Sequence, residues 1–115
     1  MSFFYEISEL KEIPVVSGVT MKTLYTEESS FAFVDFPPMS QVQTHHHDSE
    51  QVGIVLEGEI EYTIGEEKKV CRKGMMFVIP PNTPHSAMVT SEKPAKVLDV
   101  FTPMRELHHP LNYVK

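Results

Sequence analysis

Nine prolines and five glycines punctuate the 115-residue chain at short intervals. Proline lacks a backbone N–H and clashes inside a helix, and glycine there is disfavoured by about 1 kcal/mol relative to alanine. The breaks fall at Pro37-Pro38, Gly58, Gly65-Glu66, Lys73-Gly74, the run from Pro80 to Pro84, and 91–94. Between them lie runs rich in Val, Ile, Thr, Phe and Tyr, the residues that suit a pleated, half-buried surface. These runs predict strands over 19–26, 30–36, 51–56, 59–64, 68–72, 75–79, 85–90 and 96–101. No helical period of useful length appears before the tail. Many short strands at close spacing predict an all-β sandwich or barrel.

The length suits a single domain, 1–115, and a hydrophobic fraction of 41% is enough for a real core. The first 18 residues read as an arm or edge strand, and 102–115 as a C-terminal tail. The formal charge of −6 argues against nucleic acid or an anionic membrane as a partner. It leaves room for an anionic small molecule, provided the pocket carries local positive charge. The start, MSFFYEISEL, lacks a basic segment followed by a sustained apolar run. Cys71 is the only cysteine, so no internal disulfide can form. Both features predict a reducing, cytoplasmic setting.

Three consecutive histidines, His45-His46-His47, lie in mid-chain. Successive side chains of a strand point to opposite faces. His45 and His47 therefore share one face and can reach one ion, while His46 points away to solvent or an interface. Gln51 follows after a short turn. His85 opens a later predicted strand that closure of a barrel could bring alongside. Imidazole is the commonest protein metal ligand. His108-His109 read as solvated, Met75-Met76 as core, and Cys71 as structural.

Two stretches carry a family resemblance. The first is His45-His46-His47, three residues, Gln51, six residues, Gly58; the second is Gly74, five residues, Pro80, then Asn82 and His85. Together they resemble the two cupin motifs, over about residues 36 to 102. Gln51 stands where cupins usually have Glu, Asn82 where Gly is usual, and Val89 where a late Asn is common. Asn tolerates a left-handed turn, so Asn82 is a mild departure. The resemblance implies a double-stranded β-helix, or jelly-roll barrel, with one divalent ion held inside by His45, His47, Gln51 and His85. Glu50 is the rival for the fourth ligand, but strand parity puts it on the opposite face. Ni, Mn, Fe, Zn and Co all suit such ligands.

A neutral Gln leaves the full charge of a divalent ion in place, which favours Lewis acidity and the anchoring of a carboxylate. It also leaves no base among the ligands. In Lys96-Val97-Leu98-Asp99-Val100-Phe101, alternation puts Asp99 on one face with Val97 and Phe101. A carboxylate in such an apolar strand is costly unless paired or functional. Arg105 follows closely, and either pairs with Asp99 or clamps a substrate carboxylate through its planar fork.

The stretch from Leu98 to Glu106, with Val78-Ile79-Pro80 and the Gln-type first motif, resembles the pectin-degradation cupins. Those proteins convert 4,5-unsaturated monouronates, products of pectin and alginate lyases, to linear 4-deoxy-5-keto-uronates. The resemblance implies Asp99 as general acid/base, with Arg105 and Phe101 lining the substrate pocket. Two other readings stand beside it: an iron-dependent dioxygenase, and a non-catalytic sugar-acid or metabolite binder. Apolar residues at outward positions, Leu98 and Val100 among them, predict a symmetric homodimer.

Overall fold

The computed structural model describes residues 2–107 and 112–113. A short 3-10 turn, Ile7–Glu9, precedes eleven strands among the described residues. In chain order these are β1 Glu12–Pro14, β2 Thr20–Tyr25, β3 Ser30–Phe36, β4 Gln41–His46, β5 Glu50–Glu57 and β6 Glu59–Ile64. They continue with β7 Glu67–Arg72, β8 Met76–Ile79, β9 His85–Met88, β10 Ala95–Thr102 and β11 Asn112–Tyr113. They form two antiparallel sheets, one of order β1-β2-β3-β10-β5-β8 and one of order β11-β4-β9-β6-β7. The all-β expectation holds, and the N-terminal segment does supply an edge strand. The predicted strands are present, with most ends displaced by a residue or two.

Alternation decides which way each strand faces. In β3, Ser30, Ala32, Val34 and Phe36 are buried while Phe31, Phe33 and Asp35 are only partly so; β10 buries Ala95, Val97, Asp99 and Phe101. Ile60 and Tyr62 of β6 and Ala87 of β9 supply buried residues of the second sheet. Met75 packs against this core, but Met76 does not: it is 61% exposed, on the outward side of β8. The expectation that both methionines fill the core is corrected for Met76 by the strand's own two-residue period. Cys71 is buried and unpaired.

Two backbone positions need their residues. Asn82 has φ 62, the left-handed conformation that Asn accepts. Its N–H donates to the His47 carbonyl at 2.7 Å, tying the proline-rich turn to the histidine segment. Gly58 has φ 77, and a Cβ there would lie 2.4 Å from the Pro94 carbonyl oxygen.

Gly53, inside β5, faces the ring of Phe77. A Cβ on it would fall 1.9 to 2.5 Å from three ring carbons. That ring is buried and already lies against Tyr62, with centroids 4.1 Å apart. Gly53→Ala is therefore expected to destabilise the fold by about 1–3 kcal/mol, the usual range for overpacking. Denaturant midpoints would measure it, and Phe77→Leu in the same chain should restore part of the loss. An unchanged midpoint for Gly53→Ala would show that the ring has room to move.

Candidate metal centre

Register brings the site together from both sheets. His45 pairs directly with His85 between β4 and β9. His47 lies just past β4, where the chain leaves one sheet to begin β5 in the other. Gln51 of β5 is paired with Phe101 of β10, and Asp99 with Gly53. Gln51 and Asp99 are thus diagonal neighbours on one inner face, within reach of each other.

The ligand-capable nitrogens of His45, His47 and His85 all lie within 4.8 Å of one another. His47 and His85 are buried; His45 is half-buried as a whole residue, although the triad itself is enclosed. Each Nδ1 is held by a backbone carbonyl: Gln43 for His45 at 2.8 Å, Ser49 for His47 at 2.9 Å, and Thr83 for His85 at 2.8 Å. An Nδ1 that donates to a carbonyl leaves the lone pair on Nε2, the tautomer that a metal needs. The Ser49 hydroxyl also approaches His47 Nδ1, at 3.2 Å.

What faces those lone pairs is another acceptor. Gln51 Oε1 stands 3.0 Å from His47 Nε2, and His85 Nε2 is buried with no partner at all. A buried polar atom without a partner costs roughly 1–3 kcal/mol. Protonation does not offer relief. Burial, first, and then the neighbouring His45 push the His85 pKa down to about 3. Burial lowers His45 and His47 too. Three bare nitrogens and an amide oxygen converging without a donor form a cation's ligand set. The residues present fit a divalent metal ion.

Asp99 lies beside this set. Burial raises its carboxyl pKa to about 7, against the opposing effect of a hydrogen bond from the Gln51 side chain. Its Oδ1 is buried without a partner. Arg105 does not pair with it. The two ion pairs found among the described residues are Arg72–Glu59 and Lys96–Asp35. The guanidinium of Arg105 sits 5.5 Å from the centroid of the Phe101 ring, a cation–π distance. Ser30 anchors the Arg105 backbone: its hydroxyl donates to the Arg105 carbonyl at 2.6 Å, and the Arg105 N–H donates to Ser30 Oγ at 2.8 Å.

All seven sequence-predicted residues, His45, His47, Gln51, His85, Asp99, Phe101 and Arg105, line one cavity of about 360 Å³. Glu50 is exposed, as its parity requires. His46 is half-buried on β4, and His108 and His109 lie outside the described residues. Away from the histidines the cavity is a sleeve of Val15, Val16, Met21, Val34, Phe36 and Leu107. Sequence reading missed this sleeve. The β2 and β3 contributions follow from alternation, but Val15, Val16 and Leu107 lie outside any strand.

The family described as "Cupin domain" matches residues 32–101. Among related sequences, the H2HPP isomerase of Bacillus subtilis is 31% identical over 65 residues, 56% of this chain and 28% of that protein. An uncharacterised protein of Methanocaldococcus jannaschii is 35% identical over 72 residues, 62% and 58% of the two chains. The chain thus spans less than two thirds of the length of either relative. Among solved structures, KdgF from Halomonas sp. is 27% identical with a TM-score of 0.82, covering 92% of this chain and 97% of its own. An RmlC-like cupin from Shewanella frigidimarina shares the fold at 24% identity and a TM-score of 0.82, over 92% and 95%.

Proposed function

This chain belongs to the cupin family, and we propose that it is a metal-dependent enzyme that transfers a proton on a small carboxylate substrate. The observation that carries this reading is Asp99: a buried carboxyl without an ion pair, raised to about pH 7, on the wall that holds Gln51 and next to the histidine triad. A carboxyl poised near the working pH is suited to general acid/base work.

His45, His47, His85 and Gln51 would hold the ion, which supplies Lewis acidity and an anchor for substrate oxygens when bound. Gln51 has a second effect: its side chain acts on the Asp99 carboxyl against the rise that burial causes. Arg105 presents a planar fork to a carboxylate, and Phe101 holds that fork in place. In the specific form of the reading, the substrate is a 4,5-unsaturated monouronate, an enol ether bearing a carboxylate. Protonated Asp99 delivers its proton to the ring carbon of the double bond. Water adds at the adjacent ring carbon and returns a proton to the Asp99 carboxylate; the resulting hemiketal then opens as its bond to the ring oxygen breaks, the hydroxyl proton passing to that oxygen and a ketone remaining in the open chain. The similarity to KdgF, with the tail from Leu98 to Glu106, supports this form. Loss of the ring double bond when purified protein meets lyase products would support it; persistence of the double bond at full metal loading would refute it.

The apolar sleeve favours a second reading of the same acid/base chemistry. An unsaturated uronate still carries several hydroxyls, and each needs a partner inside a closed site. Val15, Val16, Met21, Val34, Phe36 and Leu107 offer none from their side chains. A 2-oxo acid with an aryl or alkyl body would fill that space, and a proton shift beside its carbonyl is isomerase chemistry, in line with the relative named an isomerase. Proton–deuterium exchange on an aryl 2-oxo acid, followed by NMR, separates the two. Oxygen uptake on either substrate would instead favour a dioxygenase.

A further inference from the structure

The two sheets leave a seam. β8 ends the six-stranded sheet and β7 ends the five-stranded one, and among the described residues no backbone ladder joins them. A second cavity, of about 310 Å³, lies at this seam. Glu67 and Lys69, both exposed, stand at its rim, and Ile64, Cys71, Met75 and Phe77 form its inner wall. Tyr62 lines this cavity and the metal-bearing one, and among the described residues it alone lines both. One side chain therefore stands between the seam and the histidine triad.

Packing holds that side chain in place. Tyr62 is buried, and its ring centroid lies 4.1 Å from that of Phe77. Phe77 lies in turn over Gly53, where the absence of a Cβ makes room for the ring. Register fixes the position of this stack. Gln51 is paired with Ile79, and His85 with Ile64. Two residues further along the same strands, Gly53 is paired with Phe77 and Ala87 with Tyr62. The Tyr62–Phe77 stack thus belongs to the next inward-facing row behind the metal ligands, about 7 Å along the strands. The apolar sleeve leads the other way, toward Val15, Val16 and Met21 near β1 and β2, at the far end of the six-stranded sheet.

We infer that Tyr62 is a specificity-determining residue: its ring closes the substrate cavity on the seam side and limits the cavity to compact acids of one ring. This rests on the metal-bearing cavity being the substrate site. A body anchored at the metal can extend into the sleeve, but toward β7 it meets the Tyr62 ring. Removing that ring would join the two cavities and nearly double the space open to a ligand.

Two metal-binding probes test this without assuming which acid is the substrate: benzohydroxamate and 4-phenylbenzohydroxamate. Each grips a divalent ion through its hydroxamate, and they differ by one ring. Cys71 reports on the seam, because it is the only cysteine of the chain and lines the second cavity but not the first. In the zinc-loaded parent, neither probe should slow alkylation of Cys71 by iodoacetamide. In Tyr62→Ala, the 4-phenyl probe should slow it about 10-fold, and its affinity relative to benzohydroxamate should rise about 10-fold, from burial of the second ring. Tyr62→Phe should match the parent, since the ring and not the hydroxyl closes the cavity. Circular dichroism checks folding, and Tyr62→Leu, which opens a narrower passage, should change both readouts in the same direction if Tyr62→Ala does not fold. Folded variants in which both readouts match the parent would overturn the inference, as would a parent in which the 4-phenyl probe already shields Cys71. A zinc-loaded parent that binds neither probe would overturn the substrate-site reading, and the inference with it.

Discussion

His85→Ala is expected to empty the metal centre. The three Nε2 atoms converge because three carbonyls hold the opposite side of each ring. Partners of that outer kind are alone worth about 10–100-fold in metal affinity, so loss of a ligand ring should cost at least ~100-fold. Elemental analysis after dialysis should find the parent loaded and the variant nearly free of metal. Thermal melts give a second readout. A metal at 100 times its dissociation constant stabilises the folded state by about 2.7 kcal/mol, roughly 10 °C for a chain of this size. That increment should appear in the parent and vanish in His85→Ala. The metal-free melting points should differ by less than that increment, since the loss of the buried ring and of its Nδ1 hydrogen bond to the Thr83 carbonyl is partly offset by removing an unpartnered Nε2. His46→Ala, on the other face of β4, should keep its metal. Full occupancy in His85→Ala would remove His85 from the ligand set.

Much of this arrangement is legible in the sequence because a strand's period is short and exact residue parity survives folding. The alternation in β3 and β10 gives both faces of the central strands correctly, including Asp99 on the inside and Leu98 on the outside. The same parity separates Gln51 from Glu50 and His47 from His46. The left-handed turn at Asn82 follows from residue type. β4 is harder to see, because Gln41–His46 carries a single aliphatic residue, Val42, and its polar positions face either solvent or the metal. A strand whose inner end is a binding site lacks the apolar signal of a core strand.

What the sequence cannot give is pairing between distant segments. His45 and His85 meet through a register between strands forty residues apart, and no local pattern encodes it. The motifs point to the encounter; the sheet order supplies it. The fate of Arg105 is likewise non-local. From the sequence alone, an ion pair with Asp99 and a clamp over the pocket are both open. The structure separates them: Ser30, seventy-five residues away, pins the Arg105 backbone, and the guanidinium lies by Phe101. Gly53 did leave a signal. A glycine inside an apolar strand marks a close approach, here to Phe77.

That separation sets up the test of the chemistry. With no cation paired to it, Asp99 owes its raised pKa first to burial. Asp99→Asn keeps the shape and removes the titrating group, so turnover on the true substrate should fall by about 10²–10⁴, the usual worth of a general acid/base. Metal content should be unchanged, because Asp99 is not among the proposed ligands. KM should move little, because the substrate still meets the ion and Arg105. Arg105→Lys should act the other way: a point charge cannot reproduce a two-pronged contact, so KM should rise by more than kcat falls. The pH profile distinguishes Asp99 from a merely structural carboxyl. If protonated Asp99 is the acid, parent activity should decline as pH rises through about 7, and that limb should be missing from the residual activity of Asp99→Asn. A variant that matches the parent rate would leave the orphaned Oδ1 as a packing feature and place the proton on a different group of the cavity.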